Sequence, residues 1–422
     1  MKQLKEILIL LWILLSLNAC VRNNETVFNE IYELTEQNNF FKAKKQFELN
    51  KNALSKPYQK FIVAVLDNAF NKLGASEQTI ENLIKNENSI PDSLQFKLYE
   101  TKYDNALKLY NYKEAKNTVL TILNDYKKYL DNEQTDDYEN SLKIWTALEN
   151  APAQKVDVKK MTNIKMEKDI AGLNTLKMFA DNDSLNFIFD TGANLSTTSL
   201  SVAKQLNMKI IPVDIKVGTI TGDKVLAKLA VCNKLTMGNI DLFNVIFLVL
   251  PDEALSFPQI NYQIYGILGF PVIEALKEIR ITQNGNFIVP LVESTSSESS
   301  NMAMNGLTPL IYINDKHFTF DTGADQTILY QIFYTENQKE IDEKYQAEKI
   351  SFGGAGGRKE FDGYNIDYIL NIGGEQVKLE NINLLKEKIK ESETVYGNIG
   401  QDLIQKFDTM IINFDKMFIR FE

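Results

Sequence analysis

Two aspartates in this chain stand in the same four-residue setting. Asp-Thr-Gly-Ala occurs at Asp190–Ala193 and again at Asp321–Ala324. Much around the two copies repeats at that same offset without a gap. Asn186-Phe187-Ile188-Phe189 matches His317-Phe318-Thr319-Phe320, and Gly222 matches Gly353. Tyr265-Gly266-Ile267-Leu268-Gly269 matches Tyr396-Gly397-Asn398-Ile399-Gly400, and Ile273 and Ile281 match Ile404 and Ile412. Such a repeat points to a two-fold arrangement with the carboxylates face to face. Two close carboxyls that share one proton can act as base and acid together. That is the equipment needed to activate a water against an amide carbonyl.

The neighbouring residue types fit this chemistry. Gly192 and Gly323 permit a tight turn and let backbone N–H groups reach the carboxylates. A glycine-containing hairpin follows each Asp at the same interval, Thr219-Ile220-Thr221-Gly222 in the first copy and Phe352-Gly353-Gly354-Ala355-Gly356-Gly357 in the second. Further on, again at matching intervals, comes a hydrophobic-Gly turn that leads into an apolar helix start. These turns are Ile267-Leu268-Gly269 and Asn398-Ile399-Gly400.

On these motifs, from about Val156 to Glu422, the sequence resembles the pepsin and retroviral-protease superfamily of aspartic peptidases. The resemblance implies two all-β lobes, a catalytic pair Asp190 and Asp321, and a peptide or protein substrate bound in extended form. It implies that Thr191 and Thr322 brace the loops across the interface, with Ala193 and Ala324 completing them. Leu268-Gly269 and Ile399-Gly400 would pack beneath. No metal or organic cofactor is implied. Thr219, Gly222, Gly353, Gly354, Gly356 and Gly357 become flap candidates, although either hairpin reads equally as an ordinary β-turn. The first tip lacks the Tyr of the pepsin flap, and one flap candidate per half favours retroviral-type lobes fused in one chain. Asn398 departs from the pattern, in place of a hydrophobic residue, and alters the support under Asp321.

The elements that must carry this site differ along the chain. From residue 21 to 150 glycine is nearly absent, and apolar and aromatic residues recur at three- and four-residue steps, as in Tyr99, Tyr103, Ala106, Leu107 and Tyr110. Asn39-Phe40-Phe41-Lys42-Ala43 resembles Asn111-Tyr112-Lys113-Glu114-Ala115. A tetratricopeptide-like array and an irregular bundle both accommodate this α-helical domain, which could recruit a protein partner. Short strand-like runs with turn punctuation take over near Ala151–Met161. They predict a first lobe over 151–292, a Ser-rich linker over 293–302 and a second lobe over 303–422. The fold class is thus a helical N-terminal region followed by two all-β lobes.

Residues 1–20 read as a secretion leader. Lys2 and Lys5 precede the apolar run Ile7–Leu17, and Leu17-Asn18-Ala19-Cys20 resembles a bacterial lipobox with Cys20 as lipid acceptor. That expectation places the protein at the bacterial cell envelope, held to the membrane by lipid. Cys232, in an apolar run, reads as an inert core thiol, and with Cys20 lipidated no disulfide can form. The chain has one histidine, His317, whose repeat mate is Asn186, which argues against His-based catalysis. Net charge is −10 and no Lys/Arg cluster stands out, which argues against nucleic acid as a partner. The rival reading is a catalytically silent peptide-binding or scaffold lipoprotein working through its helices. Detergent partitioning tests the leader: wild type is expected in the detergent phase and Cys20→Ser in the aqueous phase. Equal aqueous release of both refutes lipidation.

Overall fold

The computed structural model describes residues 23–422 apart from 87–88, 182, 219–223, 296–299, 355–356 and 391–392. The leader, including Cys20, lies outside the described residues.

Helices α1 (Glu25–Glu36), α2 (Phe40–Asn50), α3 (Lys56–Ala69), α4 (Leu73–Ile84), α5 (Asp92–Lys108), α6 (Tyr112–Asp125) and α7 (Asn132–Leu148) come first. The first six form three hairpins whose short turns each hold a residue with left-handed backbone: Asn38 (φ 57°), Asn71 (φ 57°) and Tyr110 (φ 54°). Two residues after it, Phe40, Leu73 or Tyr112 opens the returning helix. Three residues further on, Ala43, Ser76 or Ala115 is fully buried. A small side chain at that point lets the paired axes come close. Sequence comparison shows the first and third units. The middle one is hidden because Leu73 and Ser76 supply the same shapes with other residue types. A capping box between Asp131 and Gln134 starts α7.

Beyond Leu148 the chain turns to strands, beginning with Lys155–Val158. The two β-lobes share one arrangement around their Asp loops. In the first, strand Asp183–Phe189 pairs in parallel with Gly266–Leu268, which pairs antiparallel with Ser196–Ser199. In the second, Lys316–Phe320, Gly397–Ile399 and Ile328–Leu329 repeat those pairings. A third sheet joins the lobes, in the order Thr162–Lys165, Asn286–Val289, Glu278–Thr282, Thr409–Asn413 and Phe418–Phe421. At its centre Arg280 pairs with Ile411, which is its own mate in the sequence repeat. A residue that faces its own mate lies on the pseudo-two-fold axis.

Phe187, Phe189, Phe318 and Phe320 are fully buried and belong to one core that runs through both lobes. The helices share cores with the lobes as well. Ala303, Leu310 and Val395 of the second lobe sit in the cluster built by α1–α5. Tyr112, Ala115, Val119, Trp145 and Leu148 of α6 and α7 sit in one cluster with Ile188, Ile215, Leu229, Ile246 and Ile267 of the first lobe. Polar contacts seal the joint. The Asn140 side chain donates to Lys216 O (2.8 Å) and accepts from Lys216 N (2.7 Å), so its amide stands in for a neighbouring strand. Tyr110 donates to Pro271 O at 2.9 Å. Its left-handed backbone costs about 1 kcal/mol or more, and the turn it forms supports that reach into the first lobe.

Trp145 is buried, stacks on Tyr112 with centroids 5.9 Å apart, and donates its indole N–H to Tyr103 at 2.7 Å. Trp145→Ala is expected to cost about 3–5 kcal/mol in a denaturant titration. Because its cluster contains strands as well as helices, both signals are expected to melt together. Loss of helical signal alone would refute the shared core.

Candidate active site

Each Asp ends a buried strand and starts a turn that folds back on it. Asp190 N donates to Leu268 O (3.2 Å) and Asp321 N to Ile399 O (3.0 Å), which ties each loop to its hydrophobic-Gly strand. The turn then aims backbone donors at the carboxyl. Gly192 N and Ala193 N reach Asp190 Oδ1 at 2.8 and 3.1 Å, and Gly323 N reaches Asp321 Oδ1 at 2.8 Å. These bonds hold the two carboxyl groups in place.

The threonines lock one loop to the other. Thr191 N donates to Thr322 Oγ1 (3.1 Å), and Thr322 N donates to Thr191 Oγ1 (3.0 Å). Each hydroxyl then donates across the interface, Thr191 to Phe320 O (2.8 Å) and Thr322 to Phe189 O (2.9 Å). Both threonines are buried, and like Arg280 and Ile411 they are repeat mates that meet on the axis.

Gly192 and Gly323 matter because the opposite carboxyl lies where a side chain would be. A Cβ on Gly192 would fall 2.6 Å from Asp321 Cγ, and one on Gly323 would fall 2.3 Å from Asp190 Cγ. The carboxyls thus cross the axis, each against the other loop, and come within hydrogen-bonding contact. Burial raises the pKa of Asp190 well above the carboxylate range, and the neighbouring charge of Asp321 and their mutual hydrogen bond raise it further. The N–H groups of Gly192 and Ala193 oppose this and are outweighed. Two carboxyls placed in contact in this way can share one proton.

Beneath the loops the supports are symmetric. Gly269 N donates to Ser196 Oγ (3.1 Å) and Gly400 N to Thr327 Oγ1 (3.2 Å). Ala193 O accepts from Phe270 N (2.8 Å) and Ala324 O from Gln401 N (2.9 Å). A Cβ on Gly269 or Gly400 would strike the backbone of Leu195 or Gln326 at 2.5–2.6 Å. Leu268 and Ile399 are buried in the common core. Ser196 and Thr327 are functional supports absent from the motif reading. The common offset of the repeat relates them, but Ser in one half and Thr in the other conceal the match. Asn398 breaks the symmetry: its Nδ2 donates to Asp321 Oδ2 at 3.2 Å, whereas its mate Ile267 has nothing to donate.

The flap candidates fall on hairpins. Strand Glu348–Gly354 pairs with Gly357–Ile372 out to Gly354 opposite Gly357, with Gly353 opposite Arg358. Strand Lys209–Gly218 pairs with Lys224–Met237 out to Gly218 opposite Lys224. Thr219, Gly222 and Gly356 lie outside the described residues. His317 is away from the dyad. It is buried at the helical joint, with Nε2 3.0 Å from both Gln37 O and Thr394 O, and burial lowers its pKa. Cys232 is a core thiol that burial pushes up to about 11, so it is no nucleophile at neutral pH.

Residues 177–272 match the model of a family described as aspartyl protease. The match lies in the first lobe, contains Asp190 and Leu268-Gly269, and supports a protease-like function. A solved structure, Basic 7S globulin from soybean, is similar to this chain with a TM-score of 0.37 and 9% identity. That similarity covers 62% of this chain and 94% of the globulin chain. No curated protein sequence matches this chain.

Thr191→Val leaves the buried Thr322 N and Phe320 O without their partner, and Thr322→Val does the same to Thr191 N and Phe189 O. Each is expected to cost about 2–3 kcal/mol in denaturant unfolding, from buried polar groups left unpaired. A cost near zero for both would show that the loops are held by packing alone.

Proposed function

We propose that this protein is an aspartic endopeptidase of the bacterial cell envelope, with Asp190 and Asp321 as its catalytic pair. The observation that carries the reading is the crossed carboxyl pair on the axis, locked by Thr191 and Thr322 and supported by loop amides. Like charges held in contact are costly, and a shared proton turns that cost into an acid and a base side by side. An extended peptide between the lobes would present its carbonyl to a water on the pair. One carboxylate takes a proton from the water as its oxygen bonds to the carbonyl carbon. The other carboxyl gives its proton to the carbonyl oxygen. Collapse of the resulting diol breaks the C–N bond, with one proton delivered to the amine and one returned to the pair, so the chemistry closes with no cofactor. Thr191, Gly192, Ala193, Thr322, Gly323 and Ala324 hold the pair rather than react.

The Lys2/Lys5, Ile7–Leu17 and Cys20 pattern supports lipid anchoring, which would keep the cleft at a membrane surface. The helices supply a surface for a protein partner or substrate and, through their shared cores, a wall against the first lobe.

Cleavage is tested with a peptide library and with proteins of the envelope. Asp190→Asn and Asp321→Asn are each expected to abolish turnover, and the double variant to be no worse, because the two act as a unit. A bell-shaped dependence of kcat/KM on pH is expected, belonging to the pair. Substantial turnover in either single variant would refute the dyad. Binding of substrate with no turnover by wild type would favour the scaffold reading.

A further inference from the structure

The two halves of the dyad sit on different chemistry. Under Asp190 the parallel strands place Ile267 opposite Ile188 in register. At the same register under Asp321 stand Asn398 and Thr319. Thr319 Oγ1 lies 2.5 Å from Asn398 Oδ1 and bonds to it, and Asn398 Nδ2 faces Asp321 Oδ2 at 3.2 Å. A carboxylate only accepts hydrogen bonds, so the amide nitrogen is the atom that must face it. Asn398 is buried, with its orientation set from behind by Thr319.

We infer that Asn398 is a positioning residue that places the shared proton on Asp190, so that Asp321 begins the reaction as base and Asp190 as acid. An N–H donor strengthens when its acceptor is charged, so the bond from Asn398 favours the ionised form of Asp321 over the protonated one. Among the described residues Asp190 has no matching side-chain amide. Its N–H partners there are Gly192 and Ala193, whose bonds go to Oδ1. Ile188 and Ile267 beside it offer only apolar surface. Tyr330 is a titratable group near Asp321, and burial, and then Glu393 and Asp321, raise the pKa of its phenol. No lysine or arginine among the described residues pairs with either aspartate. The direction for Asp190, raised by burial and by Asp321, agrees with this division.

The catalytic consequence rests on the peptidase reading, but the location of the proton can be read without turnover. The full chain labelled with ¹³C at aspartate carboxyls is titrated by NMR, with Asp190→Asn and Asp321→Asn used to assign the two signals. At the pH where the pair holds one proton, Asp190 is expected to show the protonated shift and Asp321 the carboxylate shift. A bond to a charged acceptor is worth roughly one pKa unit, so Asn398→Leu should weaken the preference about tenfold. Thr319→Val, which keeps shape and frees the amide, should weaken it less. The exchange Ile267→Asn with Asn398→Ile should reverse it. The acidic limb of kcat/KM should move with Asn398→Leu, which a purely structural role would not produce. An unchanged preference in folded Asn398→Leu, or in Thr319→Val should the first not fold, overturns the inference. So does a wild-type proton on Asp321. A correct proton asymmetry in a chain that cleaves nothing would sink the peptidase reading and leave this one standing.

Discussion

The reciprocal bonding of Thr191 and Thr322 is the constraint on which the rest of this molecule turns. Two carboxyls drawn together repel once both ionise, and nothing in their own chemistry keeps them adjacent. What holds them is a cross-link on the axis, four hydrogen bonds between threonine hydroxyls of one lobe and backbone groups of the other. The antiparallel pairing of Glu278–Thr282 with Thr409–Asn413 fixes the same axis at a second point. Two crossings of one axis leave the lobes no freedom to slide. Gly192 and Gly323 are then obligatory, because each lies where the opposite carboxyl must pass.

Symmetry positions the pair, but identical environments would leave two equivalent acids. Here the strands beneath the loops differ at one register position. Ile267 and Ile188 make one side apolar, and Asn398 and Thr319 make the other polar. The strand pairing beneath the loops is the same in both halves, so the chemistry differs without a change of register. A duplicated scaffold can in this way keep its geometry and give its two aspartates different surroundings.

The helical region is bound into this scheme. Its α6 and α7 share a core with strands of the first lobe, Ile188 and Ile267 among them, which flank Asp190. Its α1–α5 share another with the second lobe. Buried apolar surface common to helices and lobes means that neither part keeps its full core without the other. The environment of the dyad therefore depends on segments far upstream of the first Asp loop.

Much of this was legible in the sequence. The repeat of Asp-Thr-Gly-Ala with fixed offsets to Leu268-Gly269 and Ile399-Gly400 specified a two-fold pair of lobes, because close approach of backbone admits only glycine there. The switch from helical to alternating periodicity near Ala151–Met161 located the change of fold class. Asn398 was visible as a departure from the repeat. Periodicity, however, is a local property, and several features have no local signal. Ser196 and Thr327 bond to glycines that are remote in sequence, Gly269 and Gly400. The middle helical hairpin uses Leu73 and Ser76, whose sizes fit although their types do not repeat. The seat of the helices on the lobes depends on which apolar faces meet, and sequence spacing says only that such faces exist. Whether Asn398 would face the carboxylate or turn away was likewise undecided by residue type. The register that sets Thr319 behind it, and Asp321 before it, comes only from the folded sheet.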